Sequence, residues 1–386
     1  MFLEKTLKRN PGLIKTAFEL HQGGKIQPDT YIIDLYRLTE NALKIKKEAD
    51  KYGIKLYFMT KQIGRNPLIA KRLMDIGYAG AVAVDFREAG LLGENGIKLG
   101  NIGHLVQIPD NDIKKLVEMN PEIITVYSMH IIEKINAAAA ESGKIQDVMI
   151  RVISKDDMIY AGQYGGIYLD ELEDFLEKTK QFKNVRVNGL TVFPAFLYDK
   201  DKKDIEVTKN TETLKKAMLT AEKKGLKIEQ INTPSATCVQ NIKKIKEIGG
   251  THGEPGHGLT GTTPMHAEFD MPETPAIVYV SEISHNLGES SYIYGGGHYR
   301  RSRMENIFIG KDINNFKKSK IKMPDSESID YYIETEGNYE IGDTAVLAFR
   351  TQIFVTRSRV AVVEGISENQ PIIAGIFDSQ GNEIRR

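Results

Sequence analysis

From about residue 30 to residue 255 the sequence alternates short apolar segments with longer, charged amphipathic segments. Apolar segments of this kind are typical of strands buried on both faces, and the amphipathic segments are typical of helices that cover a parallel sheet. Eight strand–helix units follow a first entry strand, TYIIDL. The sequence therefore predicts an α/β fold with a closed (β/α)8 TIM barrel. An open, doubly wound sheet has the same local pattern, because a count of units does not show closure. The eight predicted strands are KLYFMT, AGAVAV, HLVQIP, IITVYS, DVMIRV, VNGLTVF, KIEQIN and EIGGTH.

The pattern changes after about residue 265, where helical periodicity is scarce and short strand-like segments such as AIVYVSEIS and DTAVLAFR dominate. Runs of strands without intervening helices are typical of antiparallel sheets. We therefore predict two domains: a barrel with an N-terminal extension over residues 1–265, and a mainly antiparallel β domain over residues 266–386. The charged segment KDINNFKKSKIKMPDSES is interpreted as a solvated loop.

Charge and cysteine content narrow the classes of function. The 52 basic and 52 acidic residues cancel, which argues against a nucleic acid or a membrane surface as the main partner. The single cysteine, Cys238, excludes an intramolecular disulfide framework and disfavours a cysteine-based metal site. The sequence shows neither an apolar span nor a secretory signal, so we expect a cytoplasmic protein.

Function in a barrel is concentrated where strands end, and Lys61 directly follows the first predicted strand. An amine in the barrel mouth loses solvation, which lowers its pKa and makes it a nucleophile able to form an imine. A lysine that extends from the rim into solvent would give the same sequence, and lysines are usually exposed.

Two further segments lie where barrels usually bind phosphate, after strands seven and eight. In NTPSATC, Ser235 and Thr237 offer hydroxyls, although such residues also cap helices without any ligand. In GTHGEPGHGLTGTTP, five glycines indicate close approach of the backbone to another group, and Glu254 places an acid at the mouth. A flexible linker to the β domain would have a similar composition.

Together these segments resemble the pyridoxal-phosphate enzymes of the alanine racemase family (fold type III). The resemblance covers nearly the whole chain and is closest to the YhfX-like branch, judged from YFMTKQIGRNP, NTPSATC, THGEPGHGLTG and YGGGHYRRSRMENIFIG. It implies pyridoxal phosphate bound as a Schiff base to Lys61, with the phosphate held by Ser235, Thr237, Gly256 and His257.

The same resemblance places Glu254 against the pyridine nitrogen, where typical alanine racemases carry an arginine and the related decarboxylases carry a glutamate. A carboxylate keeps that nitrogen protonated, so the ring accepts electrons from the substrate's Cα more readily. Phe193, at the end of the sixth predicted strand, is a candidate to pack on the cofactor ring, although core packing explains it equally well.

The resemblance implies an amino-acid racemase, which needs a proton carrier on each face of the substrate's Cα. Lys61 would serve one face, and a tyrosine from the partner subunit of a homodimer would serve the other. We favour Tyr294 and Tyr299, from YIYGGGHYRR, as candidates, although ordinary strand tyrosines explain them as well.

Other functions remain open at this point. Glu254 favours an amino-acid decarboxylase, whereas the absence of any cysteine from the β domain favours a racemase. A non-catalytic pyridoxal-phosphate-binding protein would keep Lys61 and the phosphate loop. The loop after strand five, ISKDDMIYAGQYGGI, lacks the arginine expected of the family, so alanine is in doubt as the substrate. Arg300, Arg301 and Arg303 are alternative anchors for a substrate carboxylate.

Overall fold

The computed structural model describes residues 1–385 and divides them into two compact units. We call Ile45–Thr60 with Pro67–Gly256 the barrel unit. We call Met1–Lys44, Lys61–Asn66 and the chain from His257 onward the β-domain unit. The segment that carries Lys61 is therefore grouped with the β-domain unit, although it directly follows a barrel strand in the chain.

Eight parallel strands of the barrel unit form a closed ring. The eighth strand pairs with the first, as His252 aligns with Lys55, and this pairing confirms the predicted TIM barrel over the open sheet. The strands are Lys55–Met59, Gly80–Ala83, Leu99–Ile102, Ile123–Val126, Gln146–Ile153, Val185–Thr191, Gln230–Asn232 and His252–Gly253. The helices in this part of the chain are Leu35–Tyr52, Pro67–Asp75, Phe86–Glu94, Asp110–Glu118, Met129–Glu141, Leu172–Thr179, Asn210–Lys223 and Ile242–Glu247. The short helix His257–Thr260 follows in the chain and belongs to the β-domain unit.

The third barrel strand is Leu99–Ile102, and the prediction of HLVQIP in this place was wrong. The observed strand contains glycine and asparagine, which strands disfavour. Glycine is needed there because a Cβ on Gly100 would lie 2.3 Å from Cδ1 of Tyr57. The HLVQIP segment is instead a loop after the strand, in which the Gln107 amide donates to the Thr125 carbonyl at 3.0 Å.

Two strand ends carry additional structure. After the fifth barrel strand, the short strand Ile167–Tyr168 pairs in parallel with it. After the sixth, Phe196–Asp199 and Asp204–Val207 form an antiparallel hairpin. Lys244 Nζ contacts Asp204 Oδ2 at 2.8 Å, so the hairpin is fastened to the helix that follows the seventh strand.

The β-domain unit contains a sheet of ten strands that is mainly antiparallel, as predicted. TYIIDL belongs to this sheet: Thr30–Asp34 pairs in parallel with Arg359–Val363 and antiparallel with Ile277–Val280. The strands are Thr30–Asp34, Ile277–Leu287, Ser290–Tyr294, Asn306–Asp312, Asn315–Lys322, Tyr332–Glu336, Thr344–Leu347, Arg359–Glu364, Ile372–Phe377 and Glu383–Arg385. The two N-terminal helices, Phe2–Arg9 and Pro11–Gln22, cover it with apolar side chains such as Phe18, which stacks 6.1 Å from Phe316.

The charged segment interpreted as a loop contains the strand Asn315–Lys322, so that prediction was wrong for this part, whereas residues 323–328 form a loop. Its side chains are mostly exposed, and the lysines on it hide the apolar periodicity by which strands are usually predicted. The predicted domain limits, 1–265 and 266–386, remain a proposal about which parts of the chain fold on their own.

Candidate functional site

A buried carboxylate, Glu254, lies directly after the eighth barrel strand and is 2% exposed. Its Oε1 accepts hydrogen bonds from the amides of Asn232, at 2.5 Å, and Asn101, at 3.2 Å. The Asn101 Oδ1 in turn accepts from the hydroxyl of Thr125 at 2.8 Å. The barrel interior is usually filled with branched apolar side chains, so a polar layer here indicates a functional site.

The end of the first barrel strand is held firmly just before Lys61. The hydroxyl of Thr60 donates to Glu88, which is fully buried and also accepts from the backbone of Val84 at 2.8 Å. The backbone N–H of Met59 donates to the Pro255 carbonyl at 3.0 Å. The strand end that leads into Lys61 is therefore bonded to the segment that begins with Glu254.

The Lys61 segment has its own anchors in the β-domain unit. The Gln62 carbonyl accepts from the Thr351 hydroxyl at 2.9 Å, and the Arg65 guanidinium donates to the Gln380 side chain at 2.7 Å. Gly64 has φ of 71°, and a Cβ there would lie 2.9 Å from Val360 Cγ2. These contacts thus fix the backbone that directly follows Lys61.

Positive charge collects around His257, which follows Gly256 in the chain. Burial, and next to it the charges of Arg350 and Lys61, lower the pKa of His257 well below its ordinary value. Arg301 acts in the same direction. A neutral imidazole next to several cations is suited to binding an anion, because its N–H can donate without adding to the repulsion. Its Nδ1 lies 3.2 Å from the Thr262 hydroxyl.

The loop after the seventh strand has an unusual backbone. Ser235 and Ala236 have φ of 102° and 53°, a region that residues other than glycine rarely adopt. Such outliers are frequent where a loop is shaped around a ligand. The Ser235 hydroxyl is bonded to protein, since it donates to the Phe196 carbonyl at 2.7 Å and accepts from the Phe196 N–H at 3.0 Å. Thr237 Oγ1 accepts from the backbone N–H of Glu254 at 3.1 Å.

Arg151, on the fifth barrel strand, is a candidate whose importance the sequence analysis missed. It is fully buried, and its guanidinium donates to the Tyr127 hydroxyl at 3.0 Å and to the Gln163 carbonyl at 3.1 Å. Its Nε has no hydrogen-bond partner among residues 1–385. A buried cation with only neutral contacts is costly, so Arg151 fits an anionic group of a ligand.

Phe193 follows the sixth strand and is only partly buried. Its ring lies 5.4 Å from that of His104 and 5.8 Å from that of Tyr160, and the Arg151 guanidinium lies 5.9 Å from its centre. This aromatic group at the strand ends is suited to packing against a planar ligand.

The tyrosines predicted as proton carriers lie in the β-domain unit. Tyr294 is 38% exposed, and its ring is 6.0 Å from that of Tyr332. Tyr299 lies in the loop after it. Burial raises the pKa of Tyr31 well above its ordinary value, and Asp29 and Tyr299 add to this rise. Tyr292, on the same strand as Tyr294, is stacked on His285 with ring centres 4.8 Å apart.

The predicted site residues therefore fall into two groups. The barrel unit holds Ser235, Thr237, Glu254 and Gly256, and a hydrogen bond joins Thr237 to Glu254. The β-domain unit holds Lys61, His257, Tyr294 and Tyr299, and the charge of Lys61 acts on His257. Arg300 donates to the Ser326 carbonyl at 2.8 Å. That guanidinium N–H would have to give up this hydrogen bond to bind a substrate carboxylate, as was predicted for Arg300.

The structure also bears on membrane proteins and metalloproteins. Among residues 1–385, helices long and apolar enough to cross a membrane are absent. The described part of the chain also lacks any group of three histidine, cysteine or acidic residues arranged to hold a metal ion.

Sequence comparisons match both parts of the chain. The family described as "Alanine racemase, N-terminal domain" matches residues 33–264, and the family described as "YhfX-like, C-terminal domain" matches residues 278–373. The chain is 40% identical over 385 residues to the uncharacterized protein YhfX of Escherichia coli (strain K12), with 100% of both chains covered.

Solved structures share the fold. D-threonine aldolase from Filomicrobium marinum matches with a TM-score of 0.66 and 14% identity, over 92% of this chain and 95% of that one. Alanine racemase of Clostridium difficile 630 in complex with cycloserine matches with a TM-score of 0.62 and 17% identity, over 90% and 98%. At these identities the likeness concerns the fold, a barrel followed by a β domain.

Proposed function

The chain belongs to the alanine racemase family, and we propose that it is a pyridoxal-phosphate-dependent amino-acid racemase. Pyridoxal phosphate is the cofactor of this family. The observation that carries the proposal is the position of Lys61, two residues after the end of a strand that is hydrogen-bonded to the Glu254 segment through Met59 and Pro255.

The residues present fit the cofactor. Its phosphate needs N–H and O–H donors, and the strained loop at Ser235 and Ala236 turns the backbone as anion-binding loops do. The buried Nε of Arg151 and Oδ1 of Asn232 have no hydrogen-bond partner among residues 1–385, so each suits a polar ligand atom. A Cβ on Gly253 would lie 3.0 Å from Thr237 Cγ2, which explains the glycine beside this loop.

We assign the residues as follows. Lys61 would hold the cofactor covalently, and Ser235, Thr237, Gly256 and His257 would bind its phosphate. Because the Ser235 hydroxyl is bonded to Phe196, its contribution would come from the backbone N–H and from the shape of the loop. When bound, pyridoxal phosphate stabilises the negative charge left at the substrate's Cα after a bond to it breaks.

Racemisation requires a proton to leave one face of Cα and another to arrive on the opposite face. We propose that the amine of Lys61 moves the proton on one face. The phenol of Tyr294 or Tyr299 would move it on the other, and its contribution by a partner subunit would make a homodimer the active unit.

The substrate would be an amino acid whose carboxylate is bound by a cation. Arg151 is the candidate that burial favours, because its guanidinium has only neutral contacts in the described part of the chain. Arg301 is a second candidate, since its charge acts on the pKa of His257 as the charge of Lys61 does. We propose an amino acid other than alanine, or several.

A decarboxylase is the second candidate function, and Glu254 favours it. A carboxylate at the pyridine nitrogen would keep that nitrogen protonated, and the protonated ring would accept electrons from Cα, which assists loss of carbon dioxide as well as loss of a proton. The β domain contains no cysteine, since Cys238 in the barrel is the only one in the sequence, and this favours the racemase.

The proposal is tested by incubating the holoenzyme in heavy water with single enantiomers of the common amino acids. Proton NMR follows loss of the Cα proton, and chiral chromatography follows the product. We expect exchange together with the opposite enantiomer for at least one amino acid, and no exchange with Lys61→Ala. Carbon dioxide release without the opposite enantiomer would replace the racemase with the decarboxylase. Exchange that survives in Lys61→Ala would contradict the role of Lys61.

A further inference from the structure

Glu254 is unusual because both of its amide donors contact the same oxygen. Asn232 Nδ2 lies 2.5 Å and Asn101 Nδ2 lies 3.2 Å from Oε1. Both asparagines are fully buried, and Glu254 is 2% exposed. A carboxylate removed from water favours its neutral form unless donors replace the lost hydration. The two amides therefore replace hydrogen bonds to water that Glu254 loses when it is buried.

The direction of these contacts is fixed by the chemistry of the groups. The Thr125 hydroxyl lies 2.8 Å from Asn101 Oδ1, which can only accept, so Thr125 donates and Nδ2 of Asn101 faces Glu254. An amide N–H cannot take up or release a proton near neutral pH. The two amides that donate to Glu254 therefore keep the same charge near neutral pH, unlike donors that titrate.

The polar layer around Glu254 is built from residues on three different strands. Asn101 lies on the third barrel strand, Thr125 on the fourth and Asn232 ends the seventh, so the polar layer crosses the barrel rather than following one strand. Asparagine is disfavoured in strands, and burying a polar layer costs free energy if any member lacks a partner. A requirement of the site explains both asparagines better than the stability of the barrel does.

We infer that Asn101 and Asn232 are positioning residues that hold Glu254 as an ionised carboxylate toward the cofactor's pyridine nitrogen, and so keep the proton on that nitrogen rather than on Glu254. The inference rests on the proposed function, because it requires Glu254 to face that nitrogen. Asn232 contributes more than Asn101, since its contact is shorter.

The inference is tested on the protonation of the nitrogen itself. The purified enzyme is loaded with pyridoxal phosphate labelled with nitrogen-15 in the ring, and the nitrogen chemical shift is recorded as a function of pH. Asn232→Leu removes the donors at nearly constant volume. Each lost charge-assisted hydrogen bond should move the proton equilibrium from the nitrogen toward Glu254 on the order of tenfold. We expect the shift to move toward the unprotonated form, less in Asn101→Leu and most in the double variant.

Asn188→Leu is the matched control. Asn188 lies on the sixth barrel strand, is 9% exposed and donates to Asp147 at 2.7 Å. The substitution therefore removes a comparable amide–carboxylate hydrogen bond that does not involve Glu254. Its nitrogen shift should equal that of the unchanged enzyme. If Asn232→Leu does not fold, Asn232→Ala provides the same measurement.

Failure of the inference differs from failure of the proposed function. If Glu254→Gln changes the nitrogen shift while the Asn101 and Asn232 variants keep the original profile, the inference is wrong and the role of Glu254 stands. If Glu254→Gln also keeps the original profile, or if the chain binds no pyridoxal phosphate, the placement of Glu254 fails and the inference fails with it.

Discussion

Each unit of the molecule contains a buried or partly buried carboxylate, and their surroundings differ. In the barrel unit, Glu254 Oε1 accepts from two amides. In the β-domain unit, Asp29 Oδ1 accepts from the hydroxyls of Tyr279, at 2.9 Å, and Ser358. Amides donate in a fixed direction, whereas hydroxyls can also accept, so only the second arrangement tolerates a carboxyl group that gains a proton.

Electrostatics sharpens this contrast. Burial raises the pKa of Asp29 to about 6, against the hydrogen bonds from Ser358 and Tyr279. The Arg357 charge also lowers it, while the neighbouring carboxylate of Asp330 raises it. Asp330 Oδ2 accepts from the Gly296 N–H at 2.9 Å, so the acidic pair closes the glycine loop that leads to Tyr299. We therefore propose that Glu254 serves chemistry and that Asp29 serves the structure of the loop.

The largest effect is expected for Glu254→Gln, which would break the comparison if it changed stability alone. The amide cannot keep the pyridine nitrogen protonated, so Cα exchange should fall on the order of 100-fold or more. The free energy of unfolding in urea should change by about 1 kcal/mol or less, because the new amide can still accept from Asn232. Unchanged exchange rates together with marked unfolding would make Glu254 a structural residue.

Gly296→Ala should have the opposite effect: it should lower the free energy of unfolding and leave Cα exchange unchanged. A Cβ there would lie 2.0 Å from Asp29 Oδ2, and the backbone has φ of 126°. We expect a loss of about 3 kcal/mol in the free energy of unfolding. Gly288→Ala is the control, since it has φ of 61° without any atom within 4 Å, and should cost about 1 kcal/mol. Equal losses in both variants would show that Asp29 does not restrict the loop.

Asp29→Asn tests whether Asp29 titrates as the comparison requires. The folded protein binds this proton up to about pH 6, whereas the unfolded chain releases it near the ordinary value of 3.8. Stability therefore falls as pH rises through that window, and the cost is fully present above about pH 6. Relative to the variant, the unchanged protein should lose about 2 kcal/mol between pH 4 and pH 7 in urea unfolding. A difference that does not depend on pH would contradict the raised pKa.

The smallest effect is expected for Ser235→Ala. Because the hydroxyl bonds to Phe196 rather than to a ligand, its loss should weaken cofactor binding by less than about tenfold, through the shape of the loop. Equilibrium dialysis with pyridoxal phosphate measures this, and Ser235→Gly, which tolerates the positive φ, is the control. A loss of several hundredfold would mean that the hydroxyl itself contacts the phosphate.

The barrel could be predicted from the sequence because its strands are apolar on both faces, but the predicted third strand was wrong. HLVQIP contains three branched apolar residues and Leu99–Ile102 only two, and the close approach of Gly100 to Tyr57 explains the choice. This error also hid Asn101, which lies on the true strand. The strand Asn315–Lys322 was missed because its lysines point into solvent.

The candidate site could be proposed from the sequence where the chain itself groups residues, as at Lys61 and in the segment that contains Glu254 and His257, and these residues stay a prediction. It was not predictable where the contacts are distant in sequence. Asn101 and Glu254 are 153 positions apart, and no local pattern indicates that the Asn101 amide donates a hydrogen bond to Glu254. Arg151 was visible at a strand end, but its lack of a charged partner appears only in the structure.

The most direct test of the central claim, that Lys61 carries pyridoxal phosphate, is reduction of the holoenzyme with borohydride followed by peptide mass spectrometry. Reduction makes the bond between the cofactor and a lysine permanent, so the labelled peptide identifies that lysine. We predict one pyridoxyl group per chain, on the peptide that contains Lys61. A label on a different lysine, or a chain that binds no cofactor before reduction, would contradict the account.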